Sequence, residues 1–392
     1  MNSFFIFKTN AALQIQSKLP NVGTTIFTVM SALANKHRAI NLSQGFPNFD
    51  CPDRLKKLVA HYMDEGFNQY APMAGVPVLR KRLSEKIERI YGTAIHPDTE
   101  ITLTAGATQA LFTAISTFVK PGDEVVLIEP AYDCYRPAVE LNGGIPVAYE
   151  LSAPDYSIDW QLLRKRITIK TRMIVINNPQ NPTGKIFKKE DLEELQALTS
   201  GTDILILSDE VYEHLVYDGL AHQSIFRFPQ LLERSLVTFS FGKTFHNTGW
   251  KMGYCAAPNY LMKEFRKVHQ FNVFSVNTPI QHALAEFLEN PEEYLGLNAF
   301  YQRKRDFFLE VMKGSRLKPV DCEGTYFQLF DYQTISNEKD TEFANRMTIE
   351  FGVAAIPVSA FFSSGKDEKM IRLCFAKTED LLEKAGKLLR KI

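Results

Sequence analysis

Between Ile101 and Ala256 the chain switches back and forth between two spacings of apolar residues. The runs Ile101–Thr104, Glu124–Ile128, Ile145–Glu150, Met173–Ile176, Ile204–Leu207, Ser235–Phe239 and Met252–Ala256 are short, apolar and rich in β-branched residues, and read as buried strands. Ala107–Val119, Tyr132–Leu141, Trp160–Ile167 and Lys188–Leu198 carry apolar residues at helical spacing, and Pro121-Gly122 and Gly143-Gly144 stop the first two. Strands separated by helices can pair in parallel, because a parallel pair needs a long crossover. The seven runs therefore predict an α/β fold with a mostly parallel seven-stranded sheet covered on both faces. Sheets of this kind bind ligands beyond the carboxyl ends of their strands, so the residues just after each run are where chemistry is expected.

The flanks read differently. Arg54–Glu65 and Leu79–Tyr91 are helical, and the loop Asn41–Phe49 holds too many Gly, Pro and Asn residues for a helix. After Pro279 the chain is helical as far as Lys313, then becomes a small α+β unit with strands near Gly324–Phe330 and Met370–Cys374 and a terminal helix. This predicts a large domain over residues 51–290 and a small C-terminal domain over 291–392. Residues 1–50 form an N-terminal arm, loosely held over its first ~20 residues, and part of the small domain.

Composition excludes several partners. The 392 residues balance 45 Lys+Arg against 45 Asp+Glu, so no net basic field attracts nucleic acid or an anionic membrane. No apolar run approaches the ~20 residues of a membrane span. The Phe4–Phe7 run is too short for the apolar core of a secretory signal. The five cysteines are scattered with no C-x-x-C pair, which suggests free thiols in a reducing cytoplasm.

The strand ends carry the chemistry. After Ser235–Phe239 comes S-F-G-K-T-F-H-N-T-G-W-K-M-G, residues 240–253, with Lys243 and Lys251. A lysine just past a buried strand is partly desolvated, which favours its neutral, nucleophilic amine. The second lysine stays a cation that can hold an anion. Surface lysines are the plain alternative, and a phosphate loop is the other. The phosphate loop fails because Val237 stands where its first glycine is needed. Asp209 follows Ile204–Leu207 in S-D-E-V-Y, and can cap a helix or face a cationic ligand. Asp209, Glu210, Glu213 and His214 lack the H-E-x-x-H spacing of a metal site, so no metal is expected. Thr104–Thr108 leads from strand to helix, a ready anion site. Arg372 sits among apolar residues in Met370–Cys374 and needs a partner, either a structural carboxylate or a bound one.

Taken together, the motifs around Gly45, Tyr70, Asn181, Asp209, Lys243 and Arg372 resemble, in order, those of the class I aminotransferases. These are fold type I enzymes that use pyridoxal 5'-phosphate (PLP). The branch resembled contains bacterial methionine aminotransferases and kynurenine (glutamine-type) aminotransferases. The resemblance runs from about residue 20 to the C-terminus. It implies that Lys243 is the catalytic residue, forming a Schiff base with PLP. It implies that Asp209 faces the ring nitrogen, Tyr212 and Asn181 the ring oxygen, and Tyr132 the ring face. Gly106, Ala107, Thr108, Ser240 and Lys251 hold the phosphate, and Tyr70 reaches the phosphate of a neighbouring subunit. Arg372, Asn181 and Gly45 bind the substrate carboxylate, while Phe27, Phe274 and Phe361 line its side-chain pocket. The expected reaction is ping-pong transamination of an apolar or aromatic amino acid, with methionine favoured over Phe, Tyr, His or kynurenine, onto a 2-oxo acid. The expected assembly is a homodimer with shared sites. A cysteine-conjugate β-lyase, or a kynurenine or glutamine aminotransferase, would use the same residues. A ligand-sensing regulator is the reading from another class, and no helix-turn-helix pattern before residue 20 favours it.

Overall fold

The computed structural model describes residues 15–392. Residues 1–14, with the Phe4–Phe7 run and most of the expected arm, lie outside the described residues. A short strand, β1 (Ile40–Asn41), precedes the large sheet. That sheet contains β2 (Ile101–Thr104), β3 (Glu124–Glu129), β4 (Ile145–Glu150), β5 (Thr171–Asn177), β6 (Leu205–Asp209), β7 (Ser235–Ser240) and β8 (Gly253–Ala256). Its order is β2-β8-β7-β6-β5-β3-β4. The pairs β3–β4, β3–β5, β5–β6 and β6–β7 are parallel, and β8 is antiparallel to both β7 and β2. The exception has a local cause. Residues 241–252 return β7 to its immediate neighbour without a crossover over the sheet face, and such a return reverses the strand.

Both faces of the sheet are covered, so its strands are apolar without alternation. Ile174 and Ile176 of β5 pack on one side with Leu83, Ile87, Leu192 and Leu195. Met173 and Val175 pack on the other with Leu111, Ile115, Met262 and Phe265. Each such side chain contributes about 1.5–3 kcal/mol by leaving water. The seven-stranded, mostly parallel sheet read from the sequence is the one observed.

Some elements differ from expectation. The helix expected at Tyr132 starts at Tyr135, and that expected over Trp160–Ile167 ends at Arg164. Helices Ile26–His37 and Asn259–Asn272 form where the sequence reading placed none. The first buries only Met30 and Ala34, so its apolar stripe is faint, although the Thr25 hydroxyl caps its start by accepting from Thr28 N–H. The second buries Leu261, Met262, Phe265 and His269, a stripe interrupted by Lys263, Glu264, Arg266 and Lys267.

A second sheet is antiparallel. It comprises β9 (Lys318–Pro319), β10 (Phe327–Asp331), β12 (Ile356–Pro357) and β13 (Met370–Cys374) in the order β12-β13-β10-β9. The strand β11 (Val353–Ala354) pairs in parallel with β1. Cys374 N–H then donates to Leu42 O at 2.8 Å, which lays the loop after β1 along β13. Residues 43–46 are thereby carried to the carboxyl end of the large sheet.

A buried ion pair lies beneath that end. Lys86, on the helix Pro77–Tyr91, pairs with Glu213 in the turn after β6. Tyr91 Oη donates to Glu213 Oε2 at 2.6 Å, and the Lys86 ammonium lies over the rings of Phe239, Tyr254 and Tyr294. Burial alone would raise the Glu213 carboxyl, but Lys86 and the His214 ring hold it down at about 2. Its folded value lies below the ordinary 4.5, so the pair's stabilisation is full above that pH and fades as pH falls toward 2. Lys86→Met leaves the carboxylate buried without its cation, at a cost of about 3–5 kcal/mol. The urea midpoint of the variant should fall well below wild type at neutral pH. The gap should narrow as the medium is acidified below pH 4.5.

Candidate active site

The strand register brings the sequence-distant groups to one rim. Asn177 is paired with Asp209, Asp209 with Thr238, and Ser240 and Thr104 both with Gly253. Above this rim lies a cavity of about 280 Å³. Its walls include Gly106, Ala107, Thr108, Tyr132, Asn181, Asp209, Tyr212, Ser240, Lys243, Lys251 and Arg372, with Phe27 and Gly45 from the N-terminal segment. A larger hollow of about 410 Å³ beside Tyr156 and Lys185 is lined by none of these groups.

Asp209 ends β6 and is buried. Tyr135 Oη donates to its Oδ2 at 2.6 Å, and Val211 N–H reaches Oδ1 at 3.4 Å. Asn177 Nδ2 donates to its backbone oxygen at 2.8 Å. Burial raises the carboxyl to about 6, against the pull of the Tyr135 and Val211 bonds and the charge of Lys243. Among the described residues no side-chain cation lies within 4.0 Å of it. A buried carboxylate without a cation is a place for a bound one.

Lys243 lies on the one-turn helix Phe241–Thr244 at the end of β7. Its Nζ donates to Tyr326 Oη at 3.0 Å and to Gly45 O at 3.3 Å. Burial lowers the amine to about 8, with Arg372 and Lys251 reinforcing the shift and Cys374 and Asp209 opposing it. Gly242 is needed here, since a Cβ on it would stand 2.8 Å from Thr248 Cα.

The opposite corner suits an anion. Gly106, at φ +80°, precedes the helix Ala107–Phe118, and the N–H groups of Ala107 and Thr108 have no acceptor among the described residues. A Cβ on Gly106 would lie 3.5 Å from Lys251 Nζ, which places that ammonium over the helix start. Lys251 itself adopts φ +55°, a left-handed conformation that turns it back toward the rim, and forms no ion pair among the described residues. Gly253 lets β8 approach, because a Cβ there would be 2.5 Å from Phe239 O and 3.0 Å from Ala107 N.

Arg372, on β13, is 1% exposed. Its Nη1 donates to Asn181 Oδ1 at 2.6 Å and its Nη2 to Ser43 O at 3.1 Å, while Nε has no partner. The guanidinium lies 3.8 Å from the Phe327 ring centre, 5.0 Å from that of Phe361 and 5.4 Å from that of Phe27. No carboxylate lies within ion-pair distance among the described residues, so the structural partner considered from the sequence is not there. Burial lowers the guanidinium to about 10. Gly45 is required because a Cβ would strike Phe327 Cζ at 2.6 Å.

Three expected residues stand apart from the cavity wall. Phe361 packs behind it, against Arg372 and Phe27. Tyr70 and Phe274 are not brought to this cavity. Their rings meet edge to face at 5.3 Å on the surface, 82% and 50% exposed. The sequence reading missed Tyr326, Phe327, Tyr135 and Asn177. Tyr326 and Phe327 lie in C-E-G-T-Y-F and Tyr135 lies three residues past Tyr132, where ordinary core aromatics are equally expected. Asn177 was visible at a strand end, but in a segment that reads first as a turn.

The lowered amine gives a direct check. In cofactor-free protein, acetylation of Lys243, followed by peptide mass mapping over pH, should rise through about pH 8 as the neutral form appears, instead of near the ordinary 10.5. A midpoint at the ordinary value would remove desolvation from the account.

Comparison with known proteins agrees with this geometry. The family model described as aminotransferase class I and II matches residues 37–389. The chain is 49% identical to the methionine aminotransferase of Escherichia coli (strain K12), covering 98% of this chain and 100% of that one. It is 35% identical to human kynurenine–oxoglutarate transaminase 1, over 97% and 99% of the two chains. The crystal structure of YbdL from Escherichia coli, for which a methionine aminotransferase function was identified, is similar with a TM-score of 0.95 and 49% identity over 97% of this chain and 100% of that one. The aspartate aminotransferase of Thermus thermophilus with maleate is similar with a TM-score of 0.88 and 32% identity over 97% and 100%.

Proposed function

The chain belongs to the class I and II aminotransferases, a PLP-dependent family, and on that premise we propose that it transfers the amino group of an apolar or aromatic L-amino acid, methionine first, to a 2-oxo acid. One observation carries this reading. Among the described residues, a buried carboxylate without a cation, a buried arginine without a carboxylate and a lysine with a lowered amine face one cavity. Each lacks the partner that the cofactor or the substrate would bring.

The residues fit PLP. Asp209 would hold the protonated ring nitrogen, Asn181 and Tyr212 the ring oxygen, and Tyr132 the ring face. The free N–H groups of Ala107 and Thr108, with Gly106, Ser240 and Lys251, would hold the phosphate. When bound, PLP supplies a carbonyl that takes the amino group and a ring that delocalises the electron pair of the broken Cα–H bond. The chain's own residues do the rest. Arg372 and Asn181 grip the substrate carboxylate, and Gly45 N–H closes over it. Lys243, neutral above about pH 8, takes the Cα proton and can give it back. Among the described residues the cations on the cavity wall are Lys243, Lys251 and Arg372, all with other work. Phe27, backed by Phe361, is left to meet an apolar side chain, which favours methionine over an acidic donor. All five cysteines are free thiols, which accords with a reducing cytoplasm.

Lys243→Ala should fold normally yet neither turn over nor show the absorbance of lysine-bound cofactor. Arg372→Ala should raise KM for methionine, by a loss of about 2–5 kcal/mol in substrate binding, with cofactor affinity retained. Steady-state kinetics and cofactor titration decide both. Turnover by Lys243→Ala, or a constant KM with weakened cofactor binding in Arg372→Ala, would contradict the assigned roles.

Members of the family typically form dimers, and the exposed Tyr70–Phe274 pair supports a homodimer in which these aromatics complete the site of a second copy. A heterodimer of Tyr70→Phe and Lys243→Ala chains tests this. With shared sites, one site carries both defects and the other neither, so the imine-competent site should release PLP on dilution as slowly as wild type. Release as fast as from the Tyr70→Phe homodimer would confine Tyr70 to its own chain.

A further inference from the structure

Three contacts around Lys243 share one tyrosine. Tyr326 Oη lies 2.6 Å from Gly45 O, Lys243 Nζ lies 3.0 Å from Tyr326 Oη, and Lys243 Nζ lies 3.3 Å from Gly45 O. A carbonyl oxygen has no hydrogen to give. The single hydroxyl hydrogen of Tyr326 must therefore lie on the line to Gly45 O, and Tyr326 Oη can only accept from Lys243. Gly45 O takes two hydrogen bonds, one for each lone pair.

The neutral amine of Lys243 has two N–H bonds, and two acceptors stand beside it. With both bonds occupied and the stem fixed by the chain, one direction is left on nitrogen, the lone pair. We propose that Tyr326 is a positioning residue that orients the free amine of Lys243, so that its lone pair, not an N–H, is presented to the substrate Cα proton. This deepens the transamination reading and rests on it. In the step concerned, the proton moves from Cα to Lys243 Nζ, the N–H bond forms from the lysine lone pair, and the electrons of the C–H bond stay with the substrate carbon.

The surroundings hold Tyr326 firmly enough to do this. It is 0% exposed, and its ring packs edge to face on Tyr212 at 5.2 Å and on Phe327 at 4.9 Å. The other acceptor is held as well. Ser43 O accepts from Arg372, and Gln44 O and Phe46 O accept from Lys377, so the backbone on both sides of Gly45 is tied to buried cations. The charged and titratable groups acting on the amine are Arg372, Lys251, Asp209 and Cys374, and the rings of Tyr212 and Tyr326 face it. Of the groups bonded to the amine, Tyr326 Oη is the one a side-chain change can remove.

Tyr326→Phe removes that oxygen and keeps the ring. Two readouts decide the proposal. In the holoenzyme, kcat for methionine should fall about tenfold with KM and PLP affinity held within about twofold, and the primary isotope effect with α-deuterated methionine should rise as proton transfer becomes slower. In cofactor-free protein, the pH midpoint for acetylation of Lys243 should move below that of wild type, because the lost acceptor favoured the ammonium form. An unchanged isotope effect and an unchanged midpoint would overturn the proposal. So would a rise in KM and loss of PLP with no change in isotope effect, which would assign Tyr326 to packing. If Tyr326→Phe does not fold, 3-fluorotyrosine at 326 keeps the shape and weakens the acceptor, and should move the midpoint the same way. An absence of transamination in wild-type protein would sink the functional reading alone, since the acetylation midpoint needs no turnover.

Discussion

Arg372 is a buried cation with no anion among the described residues, and much of the site is built to keep it so. Removing a guanidinium from water is costly unless something replaces the lost solvation. Here the replacements are neutral: an amide oxygen from Asn181, a carbonyl from Ser43 and the faces of three phenylalanine rings. None of these cancels the charge. A carboxylate inside the chain would stabilise the arginine more and leave it nothing to bind. The arrangement holds the side chain in place with its charge unanswered, which is the state a carboxylate ligand can use.

The same logic runs through the rest of the cavity. Asp209 is kept by neutral donors from Tyr135 and the Val211 backbone, and Lys243 by neutral acceptors from Tyr326 and Gly45. Where the chain needs charge only for stability, it pairs it directly. Lys86 and Glu213 form a closed ion pair just below the rim, with Tyr91 on the carboxylate and aromatic rings around the ammonium. The contrast separates the charges the fold pairs from those it leaves unpaired. The two kinds are only a few residues apart in sequence, since Glu213 follows Asp209 in the same turn.

The loop at 43–46 links the two parts of the molecule. It is led by β1, paired to β11, and lies along β13, yet its carbonyls end on Arg372, Lys243 and Lys377. A Cβ at position 45 would meet the edge of the Phe327 ring at 2.6 Å, and the Arg372 guanidinium lies 3.8 Å from the centre of that same ring. One ring thus packs on the arginine and crowds out a side chain at position 45, where the backbone comes close to the lysine.

By itself the sequence determined the sheet and marked the strand ends where candidate groups stand. Strand runs without alternation require two covered faces, and parallel strands put their ends on one rim, so Asn181, Asp209, Lys243 and the Thr104–Thr108 turn could be read as neighbours before any coordinate. The faint helix at Ile26–His37 was not legible, because its burial comes from the small unit it packs on and not from a strong stripe of its own. Tertiary structure alone decided which charges are left unpaired. That Arg372 meets no carboxylate among the described residues, and that Tyr326 accepts from Lys243 because it must donate to Gly45, depend on distances of a few ångströms between segments separated by up to 329 positions. Spacing along the chain carries no record of such distances. Hydrogen-bond direction is settled only when every donor and acceptor around a group is in place.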